Sequence, residues 1–234
     1  MLPIEELTHL KTLKLPFSDT VDDHCLDRIL TLTQLEFLDL TWCSKITHNS
    51  FSKIVKMTNL TKLDLSRCLE ILAPSFKLLI ELPRLRCLDL SYHHTLTSKE
   101  LNIISQYSHL TCLYLVSNHG LTIDSNEYIA RMSNLRELHF EGREDRLSLS
   151  LLTGLTNLRV LYTGVKSDRP SIALLTHLVQ LDLYAFEDQD LAWLSTMAWL
   201  KQLHITGSSF SAESAKKLTG ALLNTAIILP SNLI

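Results

Sequence analysis

The chain has 234 residues, 46% hydrophobic and 20% charged, with a formal net charge of −3. That composition excludes wholesale disorder and leaves apolar side chains for a sizeable core. The near-neutral balance gives no global attraction to nucleic acid or to an anionic membrane. No apolar run approaches the ~18 residues of a membrane-spanning helix, and the opening MLPIEELTHL carries acids where a secretory leader carries bases.

Read from the N-terminus, one pattern recurs: L-x-x-L-x-L. It falls at Leu10, Leu13, Leu15; Leu35, Leu38, Leu40; Leu60, Leu63, Leu65; Leu85, Leu88, Leu90; and Leu110, Leu113, Leu115. It continues as Leu135, Leu138, Phe140; Leu158, Leu161, Thr163; Leu178, Leu181, Leu183; and Leu200, Leu203, Ile205, making nine units. Successive units stand 25 residues apart from Leu10 to Leu135, then 23, 20 and 22 apart to Leu158, Leu178 and Leu200. The last two leucines of each triplet have period two, so each triplet predicts a short strand with one buried face. Between the early strands, helical spacing returns, as in Phe51, Ile54 and Val55. Thr97 with Glu100 fits a capping box at a helix start, and Asp124 with Glu127 a looser one. Each unit buries its apolar face only against its neighbours, so stacked units share one continuous core.

The 20-residue step holds SDRPSIALL, where Pro170 resists helix. It predicts an extended or 3₁₀ outer segment and changed curvature in the C-terminal half. At the C-terminus, SAESAKKLTGALLNTAIIL reads as an amphipathic helix followed by a strand, Ile227 to Leu229. That phase puts Leu223, Ala226 and Ile228 in the triplet positions, so residues 211–234 close the array. Only MLPIEE precedes the first unit. Either PIEEL gives a partial turn of cover, or upstream sequence is missing, or a partner covers the strand edge.

The phrases LTQLEFLDLTWCSKIT, MTNLTKLDLSRCLEI and LPRLRCLDLSYHHTLT resemble the leucine-rich repeat family, in particular the cysteine-containing subclass found in F-box substrate receptors. The later LTNLRVLYTG and LTHLVQLDLY are similar to the compact bacterial internalin-type repeat. The resemblance covers almost the whole chain. It implies an α/β fold: a leucine-rich repeat solenoid (curved horseshoe) over residues 1–234, with a concave parallel sheet and helices or short 3₁₀ segments on the convex face. It also implies a role for the residue three after the third leucine, where the family places an inward Asn or Cys that satisfies backbone groups. That position holds Ser18, Cys43, Cys68, His93 and Asn118, and breaks down from Arg143 onward (Lys166, Phe186, Ser208), so the halves are built differently. Cys87 and Cys112 instead face the concave surface in adjacent strands, where parallel neighbours are ill posed for a disulfide. With an odd total of five cysteines and no leader, free thiols in a reducing cytoplasm are expected.

Residues between the buried leucines point outward, so surface columns can be read off. The middle column runs Lys14, Asp39, Asp64, Asp89, Tyr114, His139, Tyr162, Asp182, His204. The column at the far strand end runs Phe17, Trp42, Arg67, Tyr92, Ser117, Gly142, Val165, Ala185, Gly207. The stacked aspartates either keep the face soluble or meet a basic partner surface. The aromatic and arginine residues either fold back over the strand ends or form a binding patch, since Trp, Tyr and Arg are enriched at hot spots. The candidate protein-binding face is therefore Phe17, Asp39, Trp42, Asp64, Arg67, Asp89, Tyr92, Tyr114, His139 and Tyr162.

No phosphate-binding loop, zinc-protease motif or nucleophile elbow occurs. His9, His109 and His177 occupy a repeat turn, and His94 and His119 occupy equivalent positions with no third metal ligand in view. The expected function is a non-enzymatic protein–protein interaction module that binds a partner protein on its concave face, without cofactor, metal, nucleic acid or membrane insertion. Alternatives are the substrate-recognition part of a ubiquitin-ligase assembly, or a bacterial effector acting in the host cytosol.

Overall fold

The computed structural model describes residues 3–71, 73–122, 124–141, 149–207 and 210–230. Two compact units divide the chain, Met1–Leu121 and Thr122–Ile234.

In the first unit, parallel strands β1 (Thr12–Lys14), β2 (Phe37–Asp39), β3 (Lys62–Asp64), β4 (Cys87–Asp89) and β5 (Cys112–Leu115) lie in sequence order. The 25-residue period brings the second leucines opposite one another: Leu13 to Leu38, then Leu63, Leu88 and Leu113. Behind the strands run α1 (Asp23–Ile29), α2 (His48–Phe51), α3 (Ser98–Ile104) and the 3₁₀ segments Ile54–Lys56 and Ala73–Glu81. Asp22 caps α1 by accepting from the Cys25 amide at 2.9 Å. Thr97 and Glu100 form the expected capping box of α3. Leu35, Leu38, Leu40, Leu60, Leu63 and Leu65 are fully buried. In the first repeat Leu10, Leu13 and Leu15 are only half-buried, with one 3₁₀ turn, Ile4–Glu6, ahead of them.

The inward position behaves as the resemblance implies at Cys43, Cys68, His93 and Asn118, but not at Ser18, which is half-buried with its hydroxyl 3.0 Å from that of Thr20. Cys43 Sγ donates to the Leu15 carbonyl at 3.3 Å, Cys68 Sγ to Leu40 at 2.9 Å, and Asn118 Nδ2 to Leu90 at 2.9 Å. His93 Nε2 lies 2.7 Å from the Leu65 carbonyl. Each side chain thus satisfies the strand-exit carbonyl of the preceding repeat, a group that is costly to bury unpaired. Burial pushes the Cys43 thiol up and the Cys68 thiol up to about 12, so neither is a nucleophile at neutral pH.

The second unit holds β6 (Glu137–Phe140), β7 (Val160–Thr163), β8 (Gln180–Tyr184), β9 (Gln202–Thr206) and β10 (Ala226–Ile228), again parallel and in order. Leu138, Leu161, Leu181 and Leu203 remain in register although the steps shrink. The missing residues come out of the outer segments. Helix α4 (Asp124–Ala130) gives way to the 3₁₀ turns Ser150–Gly154 and Arg169–Leu174, the latter in the SDRPSIALL stretch as expected. A 3₁₀ turn, Asp188–Asp190, leads into α5 (Leu191–Leu194), and α6 (Ala212–Ala221) precedes the last strand.

Two expectations need correction. Asp124 is already the first helical residue of α4 and sits with Glu127 in its first turn, so it is not the cap. In β10, Ile227 pairs with Leu203, which leaves Ala226 opposite Gln202 and Ile228 opposite His204. Leu223 and Ile228 are accordingly 82% and 57% exposed, and Leu222 is buried in their stead. A slip of one residue exchanges the faces of a strand.

In place of the inward column, the second unit has Arg169. Its guanidinium is buried and donates to the carbonyls of Val165 (2.9 Å), Ala185 (3.0 Å) and Tyr184 (2.9 Å) and to Asp190 Oδ2 (2.5 Å). Asp190 also accepts from the Glu187 amide and from Trp193 Nε1. Arg143, Gly142 and Ser208 lie outside the described residues.

Candidate protein-binding face

The far-strand-end column of the first unit has a backbone feature that spacing does not reveal. Phe17, Trp42, Arg67, Tyr92 and Ser117 all have φ between 55° and 63°, the left-handed region. There the chain leaves the strand and turns each amide onto the next repeat. Phe17 N–H donates to the Thr41 carbonyl (2.7 Å), Trp42 to Ser66 (2.8 Å), Arg67 to Ser91 (3.1 Å) and Tyr92 to Val116 (2.8 Å). Glycine occupies such a conformation without steric cost, as Gly207 does in the second unit at φ 59°. A side chain there costs roughly 1–2 kcal/mol. The turn therefore requires the conformation but does not select Phe, Trp, Arg or Tyr.

The aspartates brace the same turn. Asp39 Oδ1 accepts from the Thr41 amide (3.0 Å) and hydroxyl (2.7 Å). Asp64 does the same with Ser66 (3.0 and 2.8 Å), and Asp89 accepts from the Ser91 amide at 2.8 Å. In each repeat the residue after that donor is the left-handed one. Neither sequence reading of the aspartates included this role. Beside them, Lys14 and Lys62 stand 5.1 and 4.9 Å from the Phe37 ring, and Lys62 also reaches Tyr114 at 6.0 Å.

Held in this way, the four side chains form a row, with the Phe17 and Trp42 rings tilted 50° to each other. The Phe17 and Trp42 ring centroids are 5.6 Å apart, and the Arg67 guanidinium carbon lies 4.2 Å from both the Trp42 and the Tyr92 centroids. Phe17 is 67% and Trp42 42% exposed, so they do not fold back over the strand ends. Trp42, Arg67, Tyr92 and Ser117 line a groove of 400 Å³ together with Ser44, Leu69, Glu70, His94 and His119. The imidazoles of His94 and His119 are stacked at 5.4 Å with rings 1° from parallel. A larger hollow of 540 Å³ beside the first repeat is lined by Pro3, Ile4, Leu15, Val21, Cys25, Arg28 and Ile29 and holds none of the expected binding residues.

No family model and no curated protein matches the sequence. Among solved structures, internalin C2 of Listeria monocytogenes is similar, with TM-score 0.54 and 22% identity over 90% of this chain and 84% of that one. A protein of Bacteroides fragilis is similar with TM-score 0.59 and 15% identity, over 96% and 74%. The fold is the leucine-rich repeat fold.

In the repeats of the second unit, His139 and Tyr162 are register partners with rings stacked at 5.5 Å. His139 Nε2 lies 2.9 Å from Glu137 Oε1, and His204 Nδ1 lies 3.1 Å from Asp182 Oδ1. Val165, assigned by spacing to the exposed far-end column, is fully buried. Cys87 and Cys112 are register partners, and both are thiols.

Sequence reasoning passed over Ser44 and Leu69 as groove residues and weighed His94 and His119 only as metal ligands. The signal was available: Ser44, Leu69, His94 and His119 recur every 25 residues, each two places after the stacked column. Arg169 left no such trace, because its partners are mostly backbone carbonyls.

Proposed function

We propose that the chain is a non-enzymatic protein-interaction module whose first unit binds a partner protein along the groove beside Trp42, Arg67 and Tyr92 and the adjoining face of β2–β5. One observation carries this reading. Four consecutive repeats place large aromatic or cationic side chains in a backbone conformation that favours glycine, then leave them at the surface in a continuous row. Aromatic and arginine anchors of this kind dominate binding energy at interfaces.

The photo-crosslinker p-benzoylphenylalanine, placed at position 42 or 92 and at the exposed Leu174 as control, tests the reading in cell extract. Both groove positions are expected to trap the same protein and the control position not to. No adduct at either groove position, or equal labelling at 174, would reject it. The trapped protein also distinguishes the more specific roles: a ubiquitin-ligase component or substrate for a receptor, a host protein for an effector.

A further inference from the structure

Resting on the binding role proposed above, the geometry points to an aspartate or glutamate side chain of an extended partner segment as the group that Arg67 receives. Its guanidinium carbon lies between two rings, 4.2 Å from the Trp42 centroid and 4.2 Å from the Tyr92 centroid. What remains is the edge, and the edge carries all five N–H donors. Among the described residues none accepts from it. Five other arginines do have acceptors: Arg28 in Glu5, Arg84 in Asn59, Arg86 and Arg159 in backbone carbonyls, Arg169 in Asp190. Arg67 is held between the two rings and is half-buried in the groove. It therefore loses little freedom on binding, and the aromatic walls reduce screening of its charge.

The charges around it select the ligand. Glu70 lines the same groove, and Asp39, Asp64 and Asp89 stand along the neighbouring column. A dianionic phosphate meets repulsion from these four carboxylates. A carboxylate carries one charge and matches the planar guanidinium fork with two parallel hydrogen bonds. The groove runs past the strand exits of four repeats, Trp42 to Ser117. Three interstrand spacings of about 4.8 Å give roughly 14 Å, the length of about four extended residues. The occupant is thus a short extended segment with one acid, flanked by apolar residues that reach Trp42, Tyr92 and the exposed Leu69.

The test uses the full chain and synthetic heptapeptides, N-acetylated and C-amidated, with glutamate at the centre and flanks drawn from Leu, Phe, Gly and Ser. Parallel sets carry glutamine or phosphoserine at the centre, or glutamine with a free C-terminal carboxylate. Selected peptides are measured by fluorescence anisotropy. The glutamate set should be enriched, and Glu→Gln in a selected peptide should weaken binding roughly tenfold or more. Arg67→Ala should do the same, and Arg67→Lys, which keeps the charge without the fork, should lose at least about fivefold. Enrichment of the glutamine, phosphoserine or free-carboxylate set, selection of nothing, or unchanged affinity in the Arg67 variants would overturn the assignment. If Arg67→Ala does not fold, Arg67→Lys carries the comparison. The Trp42→Ala, Tyr92→Ala double variant separates the two levels. Loss of binding there with none in the Arg67 variants removes the carboxylate and keeps the groove; binding retained in all of them removes the groove as well.

Discussion

A bulky side chain at φ near +60° has no conformational reason to be there, yet Phe17, Trp42, Arg67 and Tyr92 take that conformation in four successive repeats. Replacing one by glycine relieves about 1–2 kcal/mol of backbone cost. It adds about 0.5–1 kcal/mol of chain entropy and removes a ring or cation contact of similar size. The contributions nearly cancel, so Trp42→Gly should move the urea-unfolding free energy by less than about 1 kcal/mol. A loss of several kcal/mol would make the stack a folding device. His93 shows the opposite pattern, a buried side chain the fold needs. Burial holds its imidazole below the usual 6.5, so the folded form is neutral and Nε2 donates to the Leu65 carbonyl. The unfolded chain takes up that proton as pH falls through 6.5, so this contribution is complete above 6.5 and declines below it. His93→Asn, which copies the Asn118 bond, should flatten the acid side of the stability profile; an unchanged slope would assign that slope to other groups. Thiol labelling of the native protein should reach Cys25, Cys87 and Cys112 before Cys43 and Cys68, read by mass spectrometry.

Each element in this chain is short, and none has a self-sufficient core. Strand β3 is three residues long, and its central Leu63 is fully buried between Leu38 and Leu88. Leu63→Ala should cost about 2–5 kcal/mol in a urea melt, whereas Thr97→Ala at the α3 cap should cost about 1 kcal/mol. Arg169→Ala leaves the buried Asp190 without its counter-charge and three carbonyls without this donor, and should cost about 3–5 kcal/mol. The elements themselves are legible in the sequence because strand alternation and a 25-residue period act together: both the buried leucines and the outward columns follow from counting. Counting fails where the period does. In ALLNTAIIL apolar residues occupy both parities, so the pattern alone does not decide between Ile227 and Ile228 as the inward residue; the pairing with Leu203 does. Arg169 is illegible for a different reason. A buried arginine serving backbone carbonyls has the same sequence appearance as a solvated one.

At the scale of the molecule, the repeats position side chains in columns, and among the described residues no cluster of three His, Cys, Asp or Glu side chains is poised for a metal. The candidate face was legible as a list of residues but not as a surface. The 25-residue period aligned Trp42, Arg67 and Tyr92, and it aligns Leu69, His94 and His119 equally, while the left-handed turns that aim the first three depend on loop geometry that no pattern encodes. The central claim is that this stack exists for a partner rather than for the fold. The direct measurement is the affinity of the partner trapped at positions 42 and 92 for the Trp42→Gly, Tyr92→Gly double variant, with a thermal melt of the same preparation. Affinity should fall by roughly thirtyfold or more, the loss of about 2 kcal/mol or more typical of a hot spot, with the melt little changed. Affinity within twofold of wild type would contradict it.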